Sequence, residues 1–179
     1  MAATREELLK QSEISLILDT YDDVFSDFDP RPYHERALSD DFLVEAKRAA
    51  KDGGENIELR FMIPKALRKT SDEEMIKKRL HEHFRRHHHL LHKEKKQVLR
   101  QGFSFIISSI FLLLITTLLV LDYPENNFFR SFMIILMEPA GWFLIWEGAD
   151  LVVFEAKKKK PELDFYEKMA KCEIVFSEY

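Results

Sequence analysis

Three acidic residues stand inside an otherwise apolar run, and they have the clearest chemical potential in this sequence. Glu138, Glu147 and Asp150 lie within residues 132–154, a stretch of 23 residues rich in Leu, Ile, Val and Phe. A carboxyl group inside a bilayer is unfavourable, and such groups typically mark an ion path, a proton path or a contact between helices. We therefore predict that these three residues serve an ion pathway or a helix–helix contact.

Small residues near these acids indicate where another helix would approach. On a helical wheel of about 100° per residue, Glu138 lies on the same side as Gly141 and Gly148. Ser104 and Ser108 form a small-xxx-small pair in the first apolar run. Because small side chains let helix backbones come close together, we predict that these two serines and two glycines pack helices against each other.

The segment around Glu138 resembles the pore motif of the mitochondrial calcium uniporter family. The residues that carry the resemblance are Met137, Glu138, Pro139, Trp142 and Phe143. That family also has two spans with both chain ends on the inner side, and the resemblance implies that Glu138 would join a ring of cation-coordinating carboxylates. The family's motif has an Asp three residues before the Glu. This chain has Ile135 there, and it is not assigned to the family.

Histidines form the second group of chemically active residues. Six of the seven lie within residues 81–92, which also carry arginines that would repel a divalent cation. His83 and His87, and likewise His88 and His92, are four residues apart, so each pair would share one helix face. Three interpretations remain open: a solvated basic helix, a surface that responds to pH or binds lipid, and a metal site of unknown ion.

An acidic loop is the third polar feature. Asp22, Asp23, Asp27 and Asp29 could gather a hard cation, although the glycine and terminal Glu of an EF-hand are missing. Asp and Pro are also ordinary turn-forming residues. We favour a structural role or a subunit contact for this loop over ion binding.

Two apolar runs organise the chain as a membrane hairpin. Residues 103–121 carry no charge and would form a helix about 28 Å long, which matches a hydrocarbon core of about 30 Å. The second run, residues 132–154, follows a loop whose only base is Arg130. The flanking bases, predicted to meet lipid headgroups, are Lys93, Lys95, Lys96, Arg100, Lys157, Lys158, Lys159 and Lys160. The positive-inside rule then predicts a multi-pass protein of the cell inner membrane with both termini in the cytoplasm.

The remaining segments predict a small sheet domain. Residues 14–18 and 57–63 alternate in polarity like strands, and a helix over residues 40–51 lies between them, ended by Gly53 and Gly54. Ser71 and Glu74 form a capping box that would open one long basic helix. Residues 172–177 alternate again and would need to join the same sheet.

The predicted fold class is therefore an α/β membrane protein: a two-helix transmembrane hairpin with a small cytoplasmic βαβ-type domain completed by a C-terminal strand. The predicted parts are residues 1–70 for the βαβ portion, 71–102 for the basic His-rich juxtamembrane helix, 103–121 for the first span, 122–130 for the external loop, 131–155 for the second span, and 156–179 for the C-terminal helix and strand.

For function, we predict a homo-oligomer that conducts or senses an ion, with Glu138 facing its centre and the cytoplasmic domain directing assembly or gating. The alternative is a non-conducting membrane-anchored adaptor whose domain binds a cytosolic protein. With one cysteine, no nucleotide-binding glycine motif and no nucleophile–base pair, we predict no catalytic residues, no cofactor and no nucleic-acid partner. The predicted partners are the lipid bilayer, further copies of the chain and that cytosolic protein.

Overall fold

Three separated segments of the chain form one sheet that is parallel throughout. The computed structural model describes residues 14–52, 58–121 and 127–179. The strands are β1 (Ile14–Ile17), β2 (Glu58–Ile63) and β3 (Glu173–Glu178), in the spatial order β1–β2–β3. Phe61 at the centre pairs with Leu16 on one side and with Phe176 on the other. The predicted parallel pairing of the first two strands and the addition of the C-terminal strand are confirmed.

The protein is otherwise mostly helical and divides into two compact units. The helices are α1 (Asp40–Asp52), α2 (Thr70–Leu121), α3 (Phe128–Asp150) and α4 (Lys160–Lys171), and a π-type turn (Leu151–Glu155) and a short helical turn (Ala156–Lys158) lie between α3 and α4. We call the described residues up to His89, together with Glu162–Tyr179, the sheet unit. Residues 90–161 form the hairpin unit.

The core of the sheet unit follows from the two periodicities of its sequence. Leu59, Phe61 and Ile63 alternate along β2 and are buried, because every second strand residue points to the same face. Helical core residues recur every third or fourth position, which keeps them on one side of each helix. These residues are Phe42, Ala46, Ala50, Ile76, Leu80, Phe84, Phe165 and Met169.

Two helices are long and apolar enough to cross a membrane: α2 and the stretch that begins with α3. Helix α2 is continuous through Gly102, as the prediction of a single long helix requires. It begins at Thr70, and the carbonyl oxygen of Lys69 accepts the backbone N–H groups of Asp72 and Glu73, each at 3.0 Å. The first turn therefore starts before Ser71, and the predicted capping box at that residue is wrong.

Helix α3 begins earlier than the sequence predicts. The side chain of Asn127 accepts the backbone N–H of Phe129 at 3.1 Å, so residues 128–130 belong to the helix and the predicted loop 122–130 is shorter. Pro139 lies inside α3 without ending it. The predicted helix-ending Gly53 and Gly54, the strand residue Ile57 and the turn residues Pro124 and Asn126 lie outside the described residues.

Candidate functional site

Two glycines face each other where the two apolar helices cross in the hairpin unit. A Cβ atom built on Gly148 would lie 2.8 Å from the carbonyl oxygen of Gly102, and one built on Gly102 would lie 2.9 Å from that of Gly148. Side-chain carbons do not tolerate such distances to a backbone oxygen, so this crossing requires glycine at both positions. In the sequence Gly102 stands just before the first apolar run, and in the fold it lies in the helix contact.

Three further contacts hold the helices antiparallel. The buried hydroxyl of Ser109 donates to the carbonyl oxygen of Gly141 at 2.5 Å. A Cβ atom on Gly141 would lie 2.5 Å from the side chain of Leu113, so this glycine also admits a close neighbour. At the far end, the guanidinium of Arg130 donates to the carbonyl oxygens of Leu119 and Val120 in the last turn of α2. Carbonyls in the last turn of a helix commonly need partners from outside the helix, and Arg130 donates to these two.

The contact residues have the same spacing in both apolar helices, and this match could be read from the sequence. Gly102 and Ser109 are seven residues apart, as are Gly141 and Gly148. Seven residues are about two helical turns, which places both members of a pair on one face. The predicted Ser104 and Ser108 are instead exposed in the described chain. Their role in helix packing stays a prediction.

The three acids of the second apolar run are all exposed in the hairpin unit. Glu138, Glu147 and Asp150 lie at the surface of α3, whereas Gly141 and Gly148 are buried in its contact with α2. Glu138 is about 60–80° round the helix from those glycines. Trp142, one turn after Glu138, is also exposed, at 55%. The packing of α2 on α3 therefore leaves these carboxyl groups uncovered.

The predicted headgroup-binding bases lie at the end of the hairpin unit that is opposite to Arg130. Lys159 Nζ lies 2.7 Å from Glu94 Oε2, and Lys158 pairs with Glu155. Lys95 is half-buried, and the remaining members of the set are exposed. Those are Lys93, Lys96, Arg100, Lys157 and Lys160.

Two of the predicted histidines take part in a ring stack within the sheet unit. The rings of His83 and His87 are stacked with centroids 4.0 Å apart, and His87 stacks on Tyr166 of α4 at 5.4 Å. His83 Nε2 is buried, and the described residues give it no hydrogen-bond partner. His88 is half-buried and His92 is exposed. Within the described ranges, no three metal-ligating side chains come together.

The environment of His83 predicts a pH-dependent stability. Burial, followed by the nearby His87, Arg79 and Arg86, lowers the pKa of His83 from 6.5 to about 4. The unfolded chain therefore takes up this proton first as the pH falls. The contribution of neutral His83 to stability is complete above about pH 6.5 and is lost between there and pH 4. Because His83 is only half-buried and solvent screens part of its charge, we expect a loss of about 1–2 kcal/mol.

Chemical unfolding of the detergent-solubilised chain at pH 7 and near pH 4.5, followed by circular dichroism, measures this loss. His83→Phe keeps the ring stack without a titrating group, and it should reduce the difference in unfolding free energy between the two pH values. The matched change His89→Phe, at an exposed position of the same helix, should leave it unchanged. An equal pH dependence in His83→Phe and wild type would contradict the assignment.

Three of the four named carboxylates of the acidic loop bind the loop's own groups. Asp23 accepts backbone N–H groups of residues 19 and 20 at 2.7 and 3.0 Å, and Asp22 pairs with Arg36 at 2.5 Å. Asp29 pairs with Arg31 at 2.7 Å, and that guanidinium holds the pKa of Asp29 well below its usual range. These contacts favour the structural interpretation of the loop. A shallow cleft of about 300 Å³ beside it is lined by Asp22, Arg31, Pro32, Tyr33, His34, Arg36 and Met75.

Comparison of the chain with known protein families, with curated proteins and with solved structures finds no match in any of the three.

Proposed function

We propose that the chain is a two-pass protein of the cell inner membrane that assembles from several copies around a cation pathway or cation-sensing site. In this proposal α2 and α3 span the bilayer as a hairpin, and both chain ends lie in the cytoplasm. The length and apolar character of the two helices support insertion. The clusters of Lys and Arg at residues 93–100 and 157–160 support the orientation.

The exposure of Glu138 on the hairpin is the observation that carries the proposal. Glu138 follows the start of α3 by ten residues, or about 15 Å, which places it well inside a bilayer core of about 30 Å. The helix contact is built from glycines and Ser109 and leaves this carboxyl group outward. In a bilayer, a carboxyl group in this position needs water or another protein surface. Neighbouring copies would supply both if Glu138 faced a shared centre.

Pro139 makes a second oxygen atom near Glu138 available as a ligand for a cation. Proline has no backbone N–H, so the carbonyl of Ile135, one turn earlier, cannot receive its usual helical hydrogen bond. Carboxylate and backbone carbonyl oxygens are the ligands that hard cations prefer. One carboxylate and one free carbonyl from each copy would therefore form a ring of oxygens suited to a cation.

Cation flux into proteoliposomes tests the proposal. We expect the wild-type chain to conduct and Glu138→Gln to lower the flux to the level of empty vesicles, because the amide keeps the shape of the side chain without its charge. Glu147→Gln is the matched control, since Glu147 lies on the same helix about 180° from Glu138. Conduction that survives Glu138→Gln unchanged would refute the role of this residue.

A membrane-anchored adaptor is the second candidate, and the cleft of the sheet unit favours it. The cleft offers Arg31, His34 and Tyr33 to a partner, and the nearby loop carries Phe28, which is 98% exposed. A chain that inserts and assembles without conducting would support this function. Protection of residues 28–36 from hydrogen exchange on addition of cytosolic proteins would then locate the docking surface, and unchanged exchange there would contradict it.

A further inference from the structure

Basic residues from two distant segments meet at one end of the hairpin unit. Residues 93–100 belong to α2, and residues 157–160 follow the π-type turn after α3. The ion pair between Lys159 and Glu94, at 2.7 Å, shows that the two segments lie side by side although 65 positions separate these residues. Lys93, Lys96 and Arg100 lie within about 60° of one another on α2, so their positive charges act close to those of residues 157–160.

Two acids of this end pair with specific lysines, and Asp150 also lies close to Lys158. Glu94 pairs with Lys159, and Glu155 pairs with Lys158. We call the six other bases the basic collar. The collar consists of Lys93, Lys95, Lys96, Arg100, Lys157 and Lys160. In the part of the chain that the structure describes, none of the six has a carboxylate within 4.0 Å, so their charge is free to act on an external partner.

The π-type turn Leu151–Glu155 helps to direct these lysines outward. A π-type turn holds one more residue than an α-helical turn, and it changes which residues follow on each face. Beyond it, Ala156 is buried while Lys157 and Lys160 are exposed. The buried position after the turn is therefore a small residue, and the long cationic side chains remain on the outside.

If the hairpin spans a bilayer, Arg100, Lys157 and Lys160 lie at the depth of the lipid phosphates, and Lys93 lies several ångströms beyond it. Arg100 and Lys93 precede the apolar run at residue 103 by about 5 and 15 Å along the helix axis. Lys157 and Lys160 follow Glu155 by about 3 and 8 Å. The headgroup layer adds about 5–8 Å on each side of the hydrocarbon core. Flexible Lys and Arg side chains reach further toward it.

We propose that the basic collar is a binding surface for the phosphate groups of anionic phospholipids, so that the protein carries a shell enriched in these lipids at its cytoplasmic end. This inference rests on the proposed membrane insertion and not on ion conduction. Each Lys or Arg near an anionic surface favours binding by about fivefold. Several such groups at one end of the hairpin unit, where Glu94 and Glu155 are paired with lysines, favour charged headgroups over zwitterionic ones.

Lipids retained by the full chain test the proposal. The chain is reconstituted into nanodiscs of phosphatidylcholine with a minor fraction of phosphatidylglycerol, and lipids that stay bound after mild detergent extraction are counted by mass spectrometry. We expect wild type to retain phosphatidylglycerol about fivefold or more above its bulk ratio. The variant K93Q/K96Q/R100Q/K157Q should retain it near the bulk ratio. High salt should reduce the wild-type enrichment, since the attraction is screened.

A matched variant tests whether the lipid enrichment depends on the basic collar or only on the number of positive charges in the chain. R48Q/K65Q/K78Q/K171Q also removes three Lys and one Arg, all in the sheet unit with side chains 72–80% exposed, and it should keep the wild-type enrichment. If the inserted wild-type chain retains phosphatidylglycerol only at its bulk ratio, the lipid surface is overturned but membrane insertion is not. The same holds if both variants fall to the bulk ratio. Recovery of the chain outside the nanodiscs would overturn membrane insertion as well. The salt effect on wild type needs no variant and stands even if a variant misfolds.

Discussion

Replacing Gly148 with valine separates the two apolar helices of the hairpin unit. A Cβ atom at this position would lie 2.7 Å from Ile106 Cγ1, 2.8 Å from the carbonyl oxygen of Gly102 and 3.1 Å from the backbone nitrogen of Ile106. Two of these three atoms belong to the backbone of α2 and cannot turn aside. The helices must therefore move apart by the width of a side chain. We expect a loss of about 3 kcal/mol or more in the stability of the helix contact.

Spin labels measure this separation directly. With Cys172 replaced by Ser, labels at Phe103→Cys and Phe154→Cys occupy exposed positions of the two helices near the glycine crossing. The wild-type background should give a short, narrow distance distribution, and Gly148→Val should give a longer and broader one. Ala140→Val, an exposed position on the same helix, is the control. A narrow, unchanged distribution in Gly148→Val would show that the glycine crossing does not hold the hairpin.

Glu73→Ala lowers the unfolding free energy of the sheet unit by about 2–4 kcal/mol. The Glu73 carboxylate is buried and accepts Nε and a terminal nitrogen of Arg68 at 2.8 and 2.9 Å. It also accepts the Tyr21 hydroxyl at 3.0 Å, whose oxygen in turn receives the backbone N–H of Lys69. Alanine would leave a guanidinium and a phenol without this partner at the point where α2 begins.

The same network makes stability depend on pH. The hydrogen bonds from Arg68, with a smaller contribution from Tyr21, lower the pKa of Glu73 from 4.5. A carboxyl group of this kind stabilises the fold fully above its unfolded pKa, and the contribution is lost as the pH falls through the lower folded value. This window lies below pH 4.5 and is thus more acidic than the start of the His83 transition.

Thermal unfolding of the full chain at neutral and acidic pH measures both effects of Glu73. Glu73→Gln should give an intermediate loss at neutral pH, since the amide keeps the shape, and it should remove the acid-dependent part. Glu74→Ala is the matched control, because Glu74 is exposed on the next position of the same helix. If Glu73→Ala and Glu74→Ala destabilise equally, the buried network does not anchor α2.

Local patterns in the sequence determined most of the elements. Alternating polarity identified the strands, because a strand with one buried face must alternate. The last segment of this kind, which became β3, had no neighbouring strand along the chain, so it had to join the first two. The first apolar helix was recognised because residues 103–121 carry no charge. Length and composition alone decide whether such a helix matches a bilayer.

The tertiary structure decided which small residues meet and which polar groups stay outside. Helical periodicity places Gly141 and Gly148 together on one face, but it does not say whether they meet Gly102 and Ser109 or the pair Ser104 and Ser108. That choice depends on the register between two helices, which is fixed by backbone clearance and by the Ser109 hydrogen bond. It also decides that Glu138 remains uncovered. The physical reason is that periodicity belongs to one helix, whereas close packing is a property of two.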